Sequence, residues 1–152
     1  MVTYYLDTSA ALKQYVNEVG SEWQKHTLSR DTVIVATQLL IVEVASALNR
    51  RVREGTVEHH DYARLSGRFR DDCRDVYQLV ILDDAIVDVA YALLERHSLR
   101  AYDAVHLATA ITVNRWLVEA GEAALTFLCA DNHLLAAASA EGLAVDNPND
   151  HP

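Results

Sequence analysis

An α/β domain, layered as helices, a central and mostly parallel sheet, and helices again, is the fold class this sequence predicts. Two observations carry that expectation. Short β-branched and leucine-rich runs alternate with segments of helical periodicity along the whole chain, a pattern that builds right-handed βαβ units with helices on both faces of a sheet. No linker interrupts the alternation: there are five glycines and two prolines, both prolines in the last five residues, and no repeat or low-complexity tract. The 152 residues are therefore read as a single domain, residues 1–152, a size that folds on one core without disulfide staples.

Each element follows from its residues. Val2–Leu6 is a short apolar run that ends at Asp7 and reads as the first strand. Helical segments follow at Ser9–Val16 and Ser21–Ser29, and Val33–Ala36 is a second β-branched run. Thr37 is placed to cap a helix from Gln38 to Glu54, which Gly55 ends. A further helix runs from Glu58 to Arg74, and Val76–Leu82 reads as a strand. Asp83 and Asp84 suit the positive end of a helix that reaches His97, with Ile86, Val89, Ala90, Leu93 and Leu94 at helical spacing. From Asp103 the stripe Ala104, Leu107, Ala108, Ile111 and Val118 marks another helix. Leu125–Cys129 is a strand, Asn132–Ala140 a helix and Leu143–Val145 a last short strand.

Composition excludes several classes of protein. With 51% hydrophobic and 23% charged residues the chain is globular, not disordered or collagen-like. No apolar run approaches the roughly 20 residues that cross a bilayer, so no membrane association is expected. The N-terminus MVTYYLDTSA lacks the basic and apolar regions of a secretory signal. Cys73 and Cys129 are too few for a disulfide framework or a zinc site and allow one bridge at most. A reducing cytoplasm fits them best. The net charge of −9, from 22 acids against 13 bases, disfavours tight binding to bulk duplex DNA. Eleven of the bases are arginine and seven of those lie between Arg50 and Arg74, which implies one locally basic surface on an acidic body.

Four acids stand where acids are unusual. Asp7 follows a strand directly, at the edge where open α/β sheets bind ligands, and is either that ligand group or the cap of the next helix. Glu43, in LLIVEVASAL, shares a helix face with Leu40 and Ala47. A carboxylate enters such a face when paired or bound to metal; the alternatives here are an ion pair with Arg50 or Arg51 or an exposed edge of the helix. Asp103, in LRAYDAVHLATA, is a helix cap or a site residue. His106, a turn later, reads as a packing or hydrogen-bonding residue, and the adjacent His59 and His60 as a surface pair. Asp131 follows LTFLCA and repeats the strand, Asp, helix order seen at Asp7. Carboxylates gathered at one sheet edge repel one another unless protonated or bridged by a cation. Their hard oxygens suit Mg²⁺ or Mn²⁺, which can activate water and neutralise charge on a phosphodiester.

The blocks DTSAALKQYVNEVGSE, IVEVASALNRRVREG, LRAYDAVHLATA and FLCADNHLLAAASAEGLAVDNP, in that order, resemble the PIN-domain nucleases. They are most similar to the VapC-type toxin ribonucleases of toxin–antitoxin pairs. The resemblance implies a PIN-like α/β/α fold, an acidic pocket of Asp7, Glu43, Asp103 and Asp131, and Mg²⁺ or Mn²⁺ as cofactor. Asp7 and Asp103 would bind the metal most directly, Glu43 and Asp131 partly through water, and Thr8 and Ser9 would order the pocket. Asn132 departs from the basic residue often found there in related sequences. The implied chemistry is endoribonuclease cleavage of RNA by a metal-activated water, leaving a 5′-phosphate and a 3′-hydroxyl. A cognate antitoxin and a homodimer are the implied protein partners. The antitoxin would place a basic side chain in the pocket and lay the rest of its segment on the apolar faces around Leu39–Leu48.

Three further points follow for function. The segment Arg50–Arg74 either tracks an RNA backbone or is a solvated face with the local pairs Asp61–Arg64 and Asp71–Arg74 beside Asp75; Tyr62 and Phe69 either stack bases or pack. The same fold with weak or no catalysis would be an RNA-binding or protein-interaction module. A haloacid-dehalogenase-like phosphatase needs a second Asp two positions after the first, where this chain has Ser9.

Overall fold

Five strands, all parallel, form one sheet in the order β3-β2-β1-β4-β5 in the computed structural model, which describes every residue from Met1 to Pro152. The strands are β1 (Val2–Leu6), β2 (Thr32–Thr37), β3 (Tyr77–Val80), β4 (Thr126–Leu128) and β5 (Ala144–Asp146). The helices are α1 (Thr8–Leu12), α2 (Ser21–Thr27), α3 (Leu40–Arg53), α4 (His59–Asp75), α5 (Asp84–Arg96), α6 (Ala101–Glu119) and α7 (Asn132–Ala140), with a final 3₁₀ turn at Pro148–Asp150.

Period-two alternation in the strands divides the interior into two cores. Tyr5, Val35 and Phe127 face one side and pack with Ile86 and Leu93 of α5, Leu107 of α6 and Leu134 of α7. Leu6, Ile34, Ala36 and Leu128 face the other and pack with α1, with Leu40, Val44 and Leu48 of α3 and with Leu65 and Phe69 of α4. Both faces of the sheet are thus covered, as an all-parallel sheet requires.

The strand order reverses direction between β1 and β4. Register places Leu6 opposite Leu128 there, and the Asp7 N–H bonds to the Leu128 carbonyl at 3.3 Å. Crevices at such reversals, outside the carboxyl ends of the strands, are where open α/β sheets hold ligands.

Several element ends differ from the sequence expectation. The first helix stops at Leu12, because Lys13, Gln14 and Tyr15 close onto the carbonyls three residues back and tighten into turns. α3 begins at Leu40 and not Gln38; Thr37 still receives a hydrogen bond, from the Leu39 N–H at 3.3 Å. α6 begins at Ala101, so Asp103 lies in its first turn and is not its cap. The chain end is tied down by Gly20, whose φ of 80° is a left-handed conformation that suits glycine. Any side chain there would meet the Pro148 carbonyl.

Candidate active site

One cavity of about 560 Å³ opens at the reversal point, and all four singled-out acids line it: Asp7, Glu43, Asp103 and Asp131. Thr8, Ser9 and Val42 also line it, with Arg50, Arg100 and Tyr102. Three α-helices and two strand ends therefore deliver groups that lie far apart in the sequence.

Asp7 is a helix cap and also faces the cavity. Its carboxylate caps α1 by accepting the Ala10 N–H at 2.9 Å, and it lines the cavity. The Ser9 hydroxyl lies 2.7 and 2.9 Å from its two oxygens, and the Cys129 thiol donates to Oδ2 at 3.1 Å. Ser9 also accepts the Ala130 N–H at 2.9 Å, which ties the β1 and β4 ends together. Asp7 is only 5% exposed. Burial raises its pKa above the usual aspartate value, against the opposing pull of the His106 imidazole and of the groups that donate to it.

Asp131 likewise both caps and lines. Its Oδ1 accepts the His133 N–H at 2.9 Å at the start of α7. Asp103 faces Arg100 Nε at 3.4 Å through Oδ2. Glu43 is paired, but with His106 and not with Arg50 or Arg51: its Oε1 lies 2.8 Å from His106 Nε2. Arg51 is bound instead to Glu18. His106 is thus a buried hydrogen-bonding residue, and Thr8 Oγ1 stands 3.2 Å from the same nitrogen.

The donor set suits a hard divalent cation. Four carboxylates face one cavity, and Glu43, Asp103 and Asp131 each keep one oxygen without a partner in the protein. No three metal-binding side chains converge on one point. A hard cation that keeps several of its waters needs only one or two of these carboxylates directly. Neither cysteine forms a disulfide; Cys129 is buried against Asp7 and Cys73 sits on α4.

The basic segment divides. Arg50, a residue of α3 two turns from Glu43, is its only arginine on the cavity. On α4, Arg64 pairs with Asp61 at 3.3 Å, Arg74 with Asp71 and Asp75 at 2.9 and 3.2 Å, and Arg68 lies over the Tyr15 ring. Phe69 packs in the core and the Tyr62 hydroxyl accepts from Asn49. His59 and His60 are exposed. Arg100 and Tyr102, not singled out from the sequence, are both exposed at the cavity mouth. Their signal was their place beside Asp103 in LRAYD, at the head of a helix whose acid was already singled out.

The PIN domain family model matches residues 4–127, which span the four strands and six helices from β1 into β4. The chain belongs to the PIN domain family. This PIN domain shares its fold with a toxin-antitoxin complex from Klebsiella pneumoniae, at a TM-score of 0.60 and 14% identity over 95% of this chain and 97% of that one. A second similar structure is VapBC2 from Rickettsia felis bound to a DNA fragment from their promoter, at a TM-score of 0.64 and 10% identity over 96% of this chain and 98% of that one. No curated protein gives a significant sequence match. No helix of this PIN domain is long and apolar enough to cross a membrane.

Proposed function

We propose that this PIN domain is a metal-dependent endoribonuclease and the toxin of a toxin–antitoxin pair. The observation that carries the reading is the cavity of this PIN domain: Asp7, Glu43, Asp103 and Asp131 line it at the sheet's reversal point, under a mouth that carries two arginines and an exposed tyrosine. A bound Mg²⁺ or Mn²⁺ would supply a polarised water and would neutralise charge on the phosphodiester. Asp7 and Asp103 would hold it most directly, and Glu43 and Asp131 partly through water.

The chain's own groups account for the rest. Ser9, Ala10 and Cys129 hold the Asp7 carboxylate in place. Arg50 has no ion-pair partner, and Arg100 is 85% exposed with one long contact to Asp103, so both are free to meet phosphates flanking the cleaved bond. Tyr102 is 59% exposed and presents a ring on which an unpaired base can stack. A single strand fits this mouth, since stacking on a protein ring needs an unpaired base.

A cognate antitoxin, a homodimer and a cytoplasmic location complete the proposal. The two similar complexes and the excess of acids in the cavity support an antitoxin that places a basic side chain there. Its docking face is narrower than the run Leu39–Leu48 suggested. Leu40, Val44, Ala47 and Leu48 are core residues, and Ile41 and Val42 are the large apolar groups α3 leaves exposed.

The reading is tested by incubating the purified protein with single-stranded RNA, with Mg²⁺ or Mn²⁺ and with EDTA. Cleavage should require the metal and stop on chelation. Undiminished cleavage without metal would sink the link between the acids and catalysis, and binding without turnover under any metal would favour an interaction module. Replacing Arg50 and Arg100 together with glutamine should weaken RNA binding and flatten its salt dependence by about 0.7 in log–log slope per lost phosphate contact. Replacing Arg64, already paired on α4, should leave the slope unchanged. The reverse ranking would move the RNA path to α4.

A further inference from the structure

A buried hydrogen-bond chain ends on Glu43. The Thr37 N–H, at the end of β2, donates to Tyr5 Oη at 3.3 Å. Tyr5 Oη lies 3.0 Å from His106 Nδ1, and His106 Nε2 lies 2.8 Å from Glu43 Oε1. Tyr5 is fully buried and His106 is 2% exposed, whereas the Glu43 side chain is 20% exposed and lines the cavity. With Nε2–H donating to the Glu43 carboxylate, Nδ1 is left to accept from the Tyr5 hydroxyl, whose oxygen also receives the Thr37 N–H. The imidazole is thereby anchored to Tyr5 of β1 on one side and to Glu43 of α3 on the other, with Thr8 Oγ1 also 3.2 Å from Nε2.

The chain is also stiff. The Tyr5 ring stacks on Phe127 with centroids 5.3 Å apart, and the imidazole meets its edge at 83°. A buried imidazole needs a partner on each ring nitrogen, and Tyr5 meets one of them. This one directs its second nitrogen to a carboxylate on another helix, occupies Oε1 and leaves Oε2 without a partner. A free glutamate side chain must lose rotamer freedom whenever it binds a cation in one orientation. The imidazole removes much of that freedom beforehand.

We propose that His106 is a positioning residue that holds Glu43 in its cation-binding orientation. The proposal rests on the metal-dependent reading above and adds that the orientation of Glu43 is set from the core.

Two isosteres test it on the full chain. His106→Gln places an amide N–H near the position of Nε2 and keeps the bond to Glu43. His106→Asn keeps only the group near Nδ1 and cannot reach Glu43. Mn²⁺ binding is read from the free-ion electron paramagnetic resonance signal, alongside RNA cleavage and thermal unfolding in EDTA. His106→Asn should lose about 10–100-fold in Mn²⁺ affinity while His106→Gln stays within about threefold of wild type. Equal losses in the two variants, or none in either, would overturn the positioning role. If His106→Asn fails to fold, a folded His106→Gln that loses about tenfold or more in Mn²⁺ affinity overturns the role by itself. A wild-type protein that binds no Mn²⁺ and cuts no RNA overturns the reading of the whole site, a result distinct from any ranking among the variants.

Discussion

Replacing Asp7 with asparagine is expected to lower RNA cleavage at least about a hundredfold, more than is lost when a group that merely orients a metal ligand is removed. The same change should stabilise the metal-free protein at neutral pH. The amide oxygen can still accept from the Ala10 N–H and from Ser9, so the cap on α1 survives. What disappears is a buried negative charge. Because burial raises the folded-state pKa of Asp7, its contribution to stability is full below the unfolded value of about 3.9 and is lost as pH rises through the folded value. Asparagine does not titrate. The variant's advantage in EDTA should therefore be small in acid, grow as pH rises through the folded pKa of Asp7, and then level off. Thermal unfolding at a series of pH values measures it. A variant less stable than wild type at neutral pH would show that the carboxylate serves the fold, and full cleavage activity would remove Asp7 from the site.

Asp103→Asn should cost a comparable share of activity with little change in stability, which makes the pair informative. Asp103 lies in the first turn of α6 and contacts Arg100, whose side chain is 85% exposed. An exposed pair of this kind contributes about 0–1 kcal/mol, and a negative charge near a helix N-terminus about 0.3–1 kcal/mol. The loss on urea unfolding should therefore stay near 1 kcal/mol. A variant that retains activity, or one that unfolds outright, would assign Asp103 a structural role.

The candidate site was partly legible because two of its acids repeat one local pattern. Asp7 and Asp131 each follow a strand and open a helix, and a parallel sheet brings such positions to the same edge. Glu43 was conspicuous as a charge on an apolar helix face, but the only pairing alternatives in view were the nearby Arg50 and Arg51. The residue that pairs with it, His106, is 63 positions away, and no helical spacing relates them. The arginines of α4 looked like a nucleic-acid surface by their number, and the structure pairs or stacks three of them.

Periodicity and residue type determined the order of strands and helices, the parallel sheet and the acids that gather at its edge, because these follow from contacts a few residues apart and from the twist that makes βαβ units right-handed. Element ends shifted by a few residues where long-range packing or a tightened turn overrode local preference. The tertiary structure alone decided that β1 and β4 are neighbours, that Arg50, Arg100 and Tyr102 share one cavity mouth, and that a backbone amide on β2 reaches Glu43 through Tyr5 and His106. Those relations join segments that the chain keeps far apart. They depend on how two faces of one sheet are covered, which no short window of sequence records.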